Sequence, residues 1–357
     1  MALPFFSSRT KNLDQIVAID LGARTTKAVH VQRKGEAFTL LRYALLDAPI
    51  YEKNLSSELL TEHLKSITQA LETNTKLVVL AIGVNESIVR HAELPQMPVG
   101  DMRQILKNNT KNYLQQDLPG HVFDCYILPT SGGLRQSEAA KTTPGATKSK
   151  VLVGGAKRQL VEDLQAAVKS ANLVAEQFVP GLIGPVNAFE MAMPEIFSRE
   201  VVALVDLGFK NSTICVLQEG NLILSRVVGI GGDKLTSGLA ESLNISYAEA
   251  EGIKVGMPTE VQSNLESLLT PLRRELRASI DFFEHQQDKT VSQVFISGGS
   301  ARSDFIVQSL QTELLAPCKS WNPTSFLKLS LPPQQMAEIE QVAPQLAVAV
   351  GAAAAVY

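Results

Sequence analysis

Two short stretches of this 357-residue chain carry residue types that could hold an anion and a metal ion side by side. In Val17-Ala-Ile-Asp-Leu-Gly-Ala-Arg-Thr-Thr-Lys-Ala-Val-His-Val31 an apolar run ends in Asp20, breaks at Gly22, passes the hydroxyls of Thr25 and Thr26, and resumes from Lys27. The pattern reads as a β-hairpin whose tight turn displays a carboxylate and backbone amides. Gly22 permits a positive φ or a close backbone approach that a side chain would block. The turn offers N–H groups and hydroxyls to an anion, and Asp20 could hold a metal ion's water shell. Val201 to Leu217 repeats the design, with Asp206-Leu207-Gly208, hydroxyls at Ser212 and Thr213, and a return strand. The two aspartates, at 20 and 206, stand 186 residues apart, so the repeat separates two halves of the chain. One such turn is ordinary, since Asp and Gly are common turn residues. Two with matching internal spacing point to a shared site.

In that site the phosphate donors are the amides of Gly22, Ala23, Arg24, Thr25 and Thr26 and of the stretch Gly208 to Thr213, with Gly208, Asn211, Ser212 and Thr213 singled out, joined by the four hydroxyls. Alternation puts Thr25 and Lys27 on one strand face, so Lys27 faces either a phosphate or solvent. Gly229-Ile-Gly-Gly-Asp233 fails the dinucleotide fingerprint, because its sixth position is Lys234, and no P-loop occurs anywhere. Gly231 and Gly232 instead precede a helix predicted over 234–243, so their amides, beside Asp233, make either an anion site or a plain helix-capping turn. Glu251 and Lys254 lie three apart on one helix face, as a ligand contact or as an exposed ion pair. A strand over 291–299 ends in Gly298-Gly299, with Ser300 and Arg302 opening the next helix.

The elements that must position these residues can be read in order. Phe38 to Leu46 extends the first hairpin into a meander, Ser56 to Glu72 has helical spacing with Ser56 or Ser57 as cap, and Lys76 to Gly83 is a buried strand. From Val84 to Leu160 the texture changes: strands at 87–94, 124–128 and 150–155, a helix over 99–114, and a Gly/Ser/Thr/Lys-rich loop at 129–149 predicted to be mobile, in which Lys141 and Lys148 are solvated charge. Gln159 to Ser170 is a helix, 172–179 a strand, and 180–193 a helix linking the two halves. Leu272 to Phe283 carries one apolar stripe, and a helix closes the sequence near 346–357.

Composition narrows the function classes. Net charge is −3 with 19 % charged residues, so no basic surface for nucleic acid is expected. Cys125, Cys215 and Cys318 form neither a zinc spacing nor a disulfide framework, which fits a reducing compartment. No secretion signal and no membrane span is legible, and Pro4-Phe5-Phe6 reads as part of a flexible tail.

The two Asp-x-Gly hairpins, Gly229-Ile-Gly-Gly-Asp233 and Val294-Phe-Ile-Ser-Gly-Gly-Ser300 together resemble the nucleotide-binding signature of the actin, Hsp70 and sugar-kinase superfamily. Within it nearly the whole chain is similar to the PilM family of type IV pilus assembly, relatives of the cell-division protein FtsA. Arg90-His-Ala-Glu-Leu-Pro-Gln-Met-Pro98 is similar to the opening of that family's 1C subdomain, and Ala343 to Ala352 to its final helix. Ala278 departs from the Arg usual before Ser279, which removes one expected nucleotide contact.

The resemblance implies an α/β two-domain fold of ribonuclease H-like repeats with a PilM/FtsA-type 1C insertion. Its divisions are a flexible 1–12, subdomain 1A over 13–83, 1C over 84–160, 1A again with the linking helix over 161–195, domain 2 over 196–335 with 2B near 234–285, and a helix over 336–357 returning to 1A. It implies ATP or ADP with Mg²⁺ held through water by Asp20 and Asp206, Glu251 and Lys254 at the ribose and adenine, and backbone at Gly298 and Gly299 against the base. Asp206 could orient water, giving at most a slow ATPase. The implied role is a cytoplasmic scaffold at the inner membrane, binding the N-terminal peptide of a PilN-like protein, with other assembly proteins and self-association as further partners, and meeting the membrane only through them. An FtsA-like cytoskeletal ATPase and a small-molecule kinase share the fold; the first needs a C-terminal membrane helix and the second a catalytic base, and neither is legible here.

Overall fold

The structure, a computed structural model, describes residues 14–49, 56–129, 148–256 and 258–357. The tail at 1–12, Pro4-Phe5-Phe6, Lys141 and most of the 129–149 loop lie outside the described residues. The first hairpin forms as expected: β1 (Gln15–Asp20) pairs antiparallel with β2 (Thr25–Lys34), and β2 with β3 (Ala37–Asp47). α1 (Ser57–Ala70) starts at Ser56, whose hydroxyl accepts the Leu59 amide. β4 (Leu77–Ile82) then runs parallel to β1.

The next segment builds its own three-stranded sheet from β5 (Ser87–Pro95), α2 (Val99–Asn108), α3 (Thr110–Leu114), β6 (His121–Ile127) and β7 (Lys148–Lys157), with β7 central and antiparallel to both neighbours. The single helix expected over 99–114 is two, because Asn109 leaves helical geometry at φ −138°. α4 (Arg158–Ser170) leads to β8 (Val174–Pro180), parallel to β4. The linking helix is shorter than expected. A 3₁₀ turn at Gly181–Ile183 precedes α5 (Gly184–Ala192), and α6 (Pro194–Arg199) follows.

The second lobe repeats the first. β9 (Val201–Leu207), β10 (Ser212–Gln218) and β11 (Asn221–Val228) form an antiparallel meander. After α7 (Gly232–Leu243), α8 (Tyr247–Gly256) and α9 (Gln262–Gln287), β12 (Gln293–Gly298) joins β9 in parallel. α10 (Asp304–Leu314) and β13 (Cys318–Ser320) complete a five-stranded sheet of order β11-β10-β9-β12-β13. The first sheet has the same order, β3-β2-β1-β4-β8, and gains an outer strand from far along the chain, β14 (Lys328–Leu329), parallel to β3. α11 (Pro333–Val342) and α12 (Ala347–Ala354) follow.

α9 is much longer than its apolar stripe at 272–283, since Pro271 is accommodated inside the helix. β1 and β9 are buried almost throughout, as expected of strands covered on both faces. One core spans the lobes, joining Ile16 and Ala18 of β1, Val202 and Leu204 of β9, Phe189 of α5, Phe295 of β12 and Val350 of α12. The Phe189 ring meets Phe295 edge-on at 4.7 Å and Trp321 at 5.3 Å, contacts worth about 0.5–1.5 kcal/mol each beyond area burial. α5 and α12 approach at glycines: a Cβ on Gly351 would lie 1.7 Å from the Gly184 carbonyl oxygen. The lobes are therefore welded at their base, and the two hairpin turns face each other above it.

Candidate functional site

Register fixes what each turn presents. Asp20 stands opposite Lys27 across β1–β2, and Asp206 stands opposite Thr213 across β9–β10. Cross-strand partners share a face, so Lys27 and Thr213 lie beside the aspartates, while Thr26 and Ser212 point the other way. Thr26 pairs with His63 of α1 at 2.8 Å, and Ser212 donates to the Ile230 carbonyl at 2.7 Å. Those two hydroxyls fix the turns to their own lobes and do not reach the cleft. The glycines act alike in both repeats: a Cβ on Gly22 would lie 2.4 Å from the Thr25 carbonyl oxygen, and one on Gly208 2.7 Å from that of Asn211. Among the described residues no protein acceptor meets the amides of Ala23 and Arg24 in one turn, or of Phe209 and Lys210 in the other. These are the free donors for an anion.

The charges on the floor are paired across a short distance. Lys27 Nζ donates to Asp20 Oδ2 at 3.1 Å. Burial alone would lower the ammonium's pKa, but the Asp20 and Asp206 carboxylates outweigh it and raise it, so Lys27 is charged and enclosed. The solvent-facing reading of Lys27 is corrected accordingly. Asp206 keeps a small accessible face, yet desolvation raises its carboxyl above the usual range, against the Ser297 hydroxyl, which donates to Oδ1 at 2.8 Å, and the nearby Lys27 charge.

α7 begins two residues earlier than expected, at Gly232. The Gly232 and Asp233 amides donate to the carbonyls of Gly208 and Phe209, both at 2.9 Å, and a Cβ on Gly231 would lie 2.3 Å from the Phe209 oxygen. The first amides of α7 therefore brace the second turn and are not open to an anion. Asp233 accepts from Lys210 at 2.7 Å and from Tyr247 at 3.0 Å; together these outweigh burial and hold its carboxyl below the usual range. Glu251 and Lys254 are no exposed pair. Lys254 is buried, its Nζ donating to Glu251 at 2.7 Å, to Thr236 at 2.7 Å and to the Gly232 carbonyl at 3.4 Å. Burial lowers its pKa despite the carboxylate.

The final motif sits at the C-terminal end of β12. Gly298 adopts φ +93°, and a Cβ there would lie 2.4 Å from the Leu207 carbonyl oxygen, so glycine is required on two counts. Gly299 is exposed, the Ser300 hydroxyl lies 3.2 Å from the Cβ position of Gly232, and Arg302 points outward at the surface. Across the cleft Arg24 reaches Glu251 at 3.6 Å and lies over the rings of Phe209 at 5.3 Å and Tyr247 at 5.8 Å. Sequence reasoning gave no role to the side chains of Phe209, Lys210, Tyr247, Thr236 and Ser297. For the first two a signal existed, because at the spacing of the repeat they are the counterparts of Ala23 and Arg24.

The donor set fits a hydrated divalent ion and not a caged one. Among the described residues no group of three His, Cys, Asp or Glu converges on a metal position. Two carboxylates, each with one oxygen already engaged, suit an ion that keeps most of its waters.

Over residues 18–356 the sequence matches the protein-family model described as type IV pilus assembly protein PilM. It is similar to the cell division protein FtsA of Bacillus subtilis (strain 168), 36 % identical over 70 residues, 20 % of this chain and 16 % of that protein. FtsA of Agrobacterium fabrum (strain C58 / ATCC 33970) is 26 % identical over 168 residues, 45 % of this chain and 35 % of that one, so the match spans well under two thirds of either relative. Among solved structures, the PilM-PilN type IV pilus biogenesis complex superimposes with a TM-score of 0.81 at 21 % identity, covering 96 % of this chain and 98 % of that one. MreB5 of Spiroplasma citri bound to AMPPNP gives a TM-score of 0.52 at 10 % identity, with 95 % of each chain covered. The shared fold is the actin-like one, as the two hairpins led us to expect.

Proposed function

Because the chain belongs to the type IV pilus assembly protein PilM family, we propose that it is an ATP-binding scaffold of a pilus-type assembly complex, working at the inner membrane through a PilN-like partner. The carrying observation is the facing pair of turns, whose amides at Ala23, Arg24, Phe209 and Lys210 have no protein acceptor among the described residues. These amides receive the phosphates, Lys27 adds charge beneath them, and Glu251, Lys254 and the backbone at Gly298 and Gly299 take the nucleoside end. Asp20 and Asp206 orient the waters of a magnesium ion, whose chemistry is to neutralise phosphate charge. Hydrolysis is slow at most. The ligand's main effect is to draw the lobes together, because its contacts come from both.

The relative in the PilM-PilN complex supports a PilN-like peptide as partner. The three-stranded β5–β7–β6 module takes the place of 1C, and the peptide lies between it and the first sheet. Among the described residues no helix is long and apolar enough to cross a membrane. The partial matches to FtsA favour a second reading, a cytoskeletal ATPase that polymerises.

The test is calorimetric titration with ATP and magnesium, repeated with a peptide copying the cytoplasmic N-terminus of the partner. Tight ATP binding without appreciable turnover, together with peptide binding, is expected. Rapid phosphate release or phosphoryl transfer to a small molecule would replace the scaffold with an enzyme. Asp20→Ala is expected to weaken Mg-ATP binding in a protein that still folds; unchanged affinity would remove Asp20 from the metal's water shell.

A further inference from the structure

Granted a nucleotide between the lobes, we infer that Gln345 is a further binding residue for its nucleoside end, contributed by the segment that packs on the first lobe. Gln345 lies in the 3₁₀ turn Ala343–Leu346, between α11 and α12. Its neighbours Pro344 and Leu346 are buried, whereas Gln345 is half-buried and its carboxamide has no hydrogen-bond partner among the described residues. Its oxygen and nitrogen are not among the buried unpaired atoms, so in the free chain water can serve them and a ligand could take over those hydrogen bonds.

The direction in which it points is defined by Gly299. At the position a Cβ would take on Gly299, the nearest heavy atom beyond its own chain neighbours is Gln345 Oε1, at 4.0 Å, and no other such atom is shown within that distance. Gly299 is exposed, and its backbone is set by Gly298, whose left-handed conformation presses it against Leu207, next to Asp206. An open backbone platform therefore begins at the strand end that carries the floor of the cleft. Gln345 rims it on one side. On the other, the Ser300 hydroxyl and Lys254 Nζ lie 3.2 and 3.6 Å from the Cβ position of Gly232. A flat ligand lying on Gly299 would meet the Gln345 carboxamide at its edge.

A carboxamide offers both an acceptor and donors, which matches a purine edge or a ribose hydroxyl and matches a phosphate poorly, since a phosphate uses only donors. Gln345 also differs in origin from the other contacts at this end. The turn that carries it runs directly into α12, which packs on α5 of the first lobe through Gly351. The contact thus joins a ligand seated on the second lobe to the helix that welds the two.

The test is equilibrium binding of ATP, ADP and inorganic tripolyphosphate to the full chain and to Gln345→Ala. A single neutral hydrogen bond predicts about fivefold weaker binding of both nucleotides, unchanged binding of tripolyphosphate, and an unaltered melting temperature without ligand. Gln345→Glu keeps an acceptor and loses the donors; retention of ATP affinity by this variant alone would support an acceptor contact. ATP affinity unchanged in Gln345→Ala, with the unsubstituted chain binding normally, would overturn the assignment and leave the nucleotide reading standing. An equal loss for tripolyphosphate would also overturn it, because the effect would then lie at the phosphates. Failure of the unsubstituted chain to bind any nucleotide would overturn both.

Discussion

Asp206 shows how a binding residue can work against the stability of its own fold. Its carboxyl pKa is raised in the folded chain by desolvation. A raised carboxylate value means that ionisation disfavours the folded state, a penalty that develops as pH rises through the unfolded value and is complete above the folded one. Asp206→Asn should therefore raise the melting temperature near neutral pH, with the gain shrinking as pH falls into the acid range, while Mg-ATP binding weakens. A thermal-shift series against pH, with a parallel titration, checks both signs. Lys254 has the same sign, a buried cation whose pKa burial lowers and whose lost hydration Glu251, Thr236 and the Gly232 carbonyl offset only in part. Lys254→Ala leaves Glu251 and Thr236 short of a partner and should cost about 1–3 kcal/mol of unfolding free energy, read by denaturant titration.

At the scale of elements, the crossing of α5 and α12 is the least forgiving contact in the molecule. Gly351→Ala places a methyl group 1.7 Å from a backbone oxygen, and neither helix can retreat without moving a sheet. A loss of about 3 kcal/mol or more is expected from overpacking of this kind, with a drop in denaturant midpoint as the readout. This contact was not legible in the sequence, where Gly351 is one small residue in an Ala-rich run. The paired hairpins were legible, because a continuous apolar run, an aspartate and a glycine recur at the same spacing. Their internal wiring was not. Thr26 and Thr25 look equivalent as letters, and only the register shows that Thr26 faces α1. The i, i+3 spacing of Glu251 and Lys254 told which helix face they share, and could not tell that α7 covers it. Likewise Gly231 and Gly232 read as either an anion site or a helix-capping turn, and only the fold shows the Gly232 and Asp233 amides bonded to the Gly208–Phe209 turn.

For the molecule as a whole, the lobes are fixed at the base by the core around Phe189 and tied at the mouth by Arg24. The Arg24 guanidinium is the cross-cleft link there, to Glu251, Phe209 and Tyr247. An exposed ion pair contributes little, so Arg24→Ala should change stability by less than about 1 kcal/mol. It should instead widen the cleft and speed release of bound nucleotide, measurable as a larger radius of gyration in solution scattering and a faster chase of a fluorescent ATP analogue. An unchanged release rate would show that Arg24 does not gate the mouth.

β14 carries a different kind of consequence. Its two residues, Lys328 and Leu329, extend the first sheet beside β3, and α12 covers β1, yet both lie beyond the whole of the second lobe in the chain. On the ribosome, the first lobe thus emerges with an unpaired strand edge and an uncovered apolar face, and keeps both while more than a hundred further residues are made. The first lobe's sheet and core are therefore completed only by segments made after the second lobe, and until then its open edge is exposed to wrong pairing.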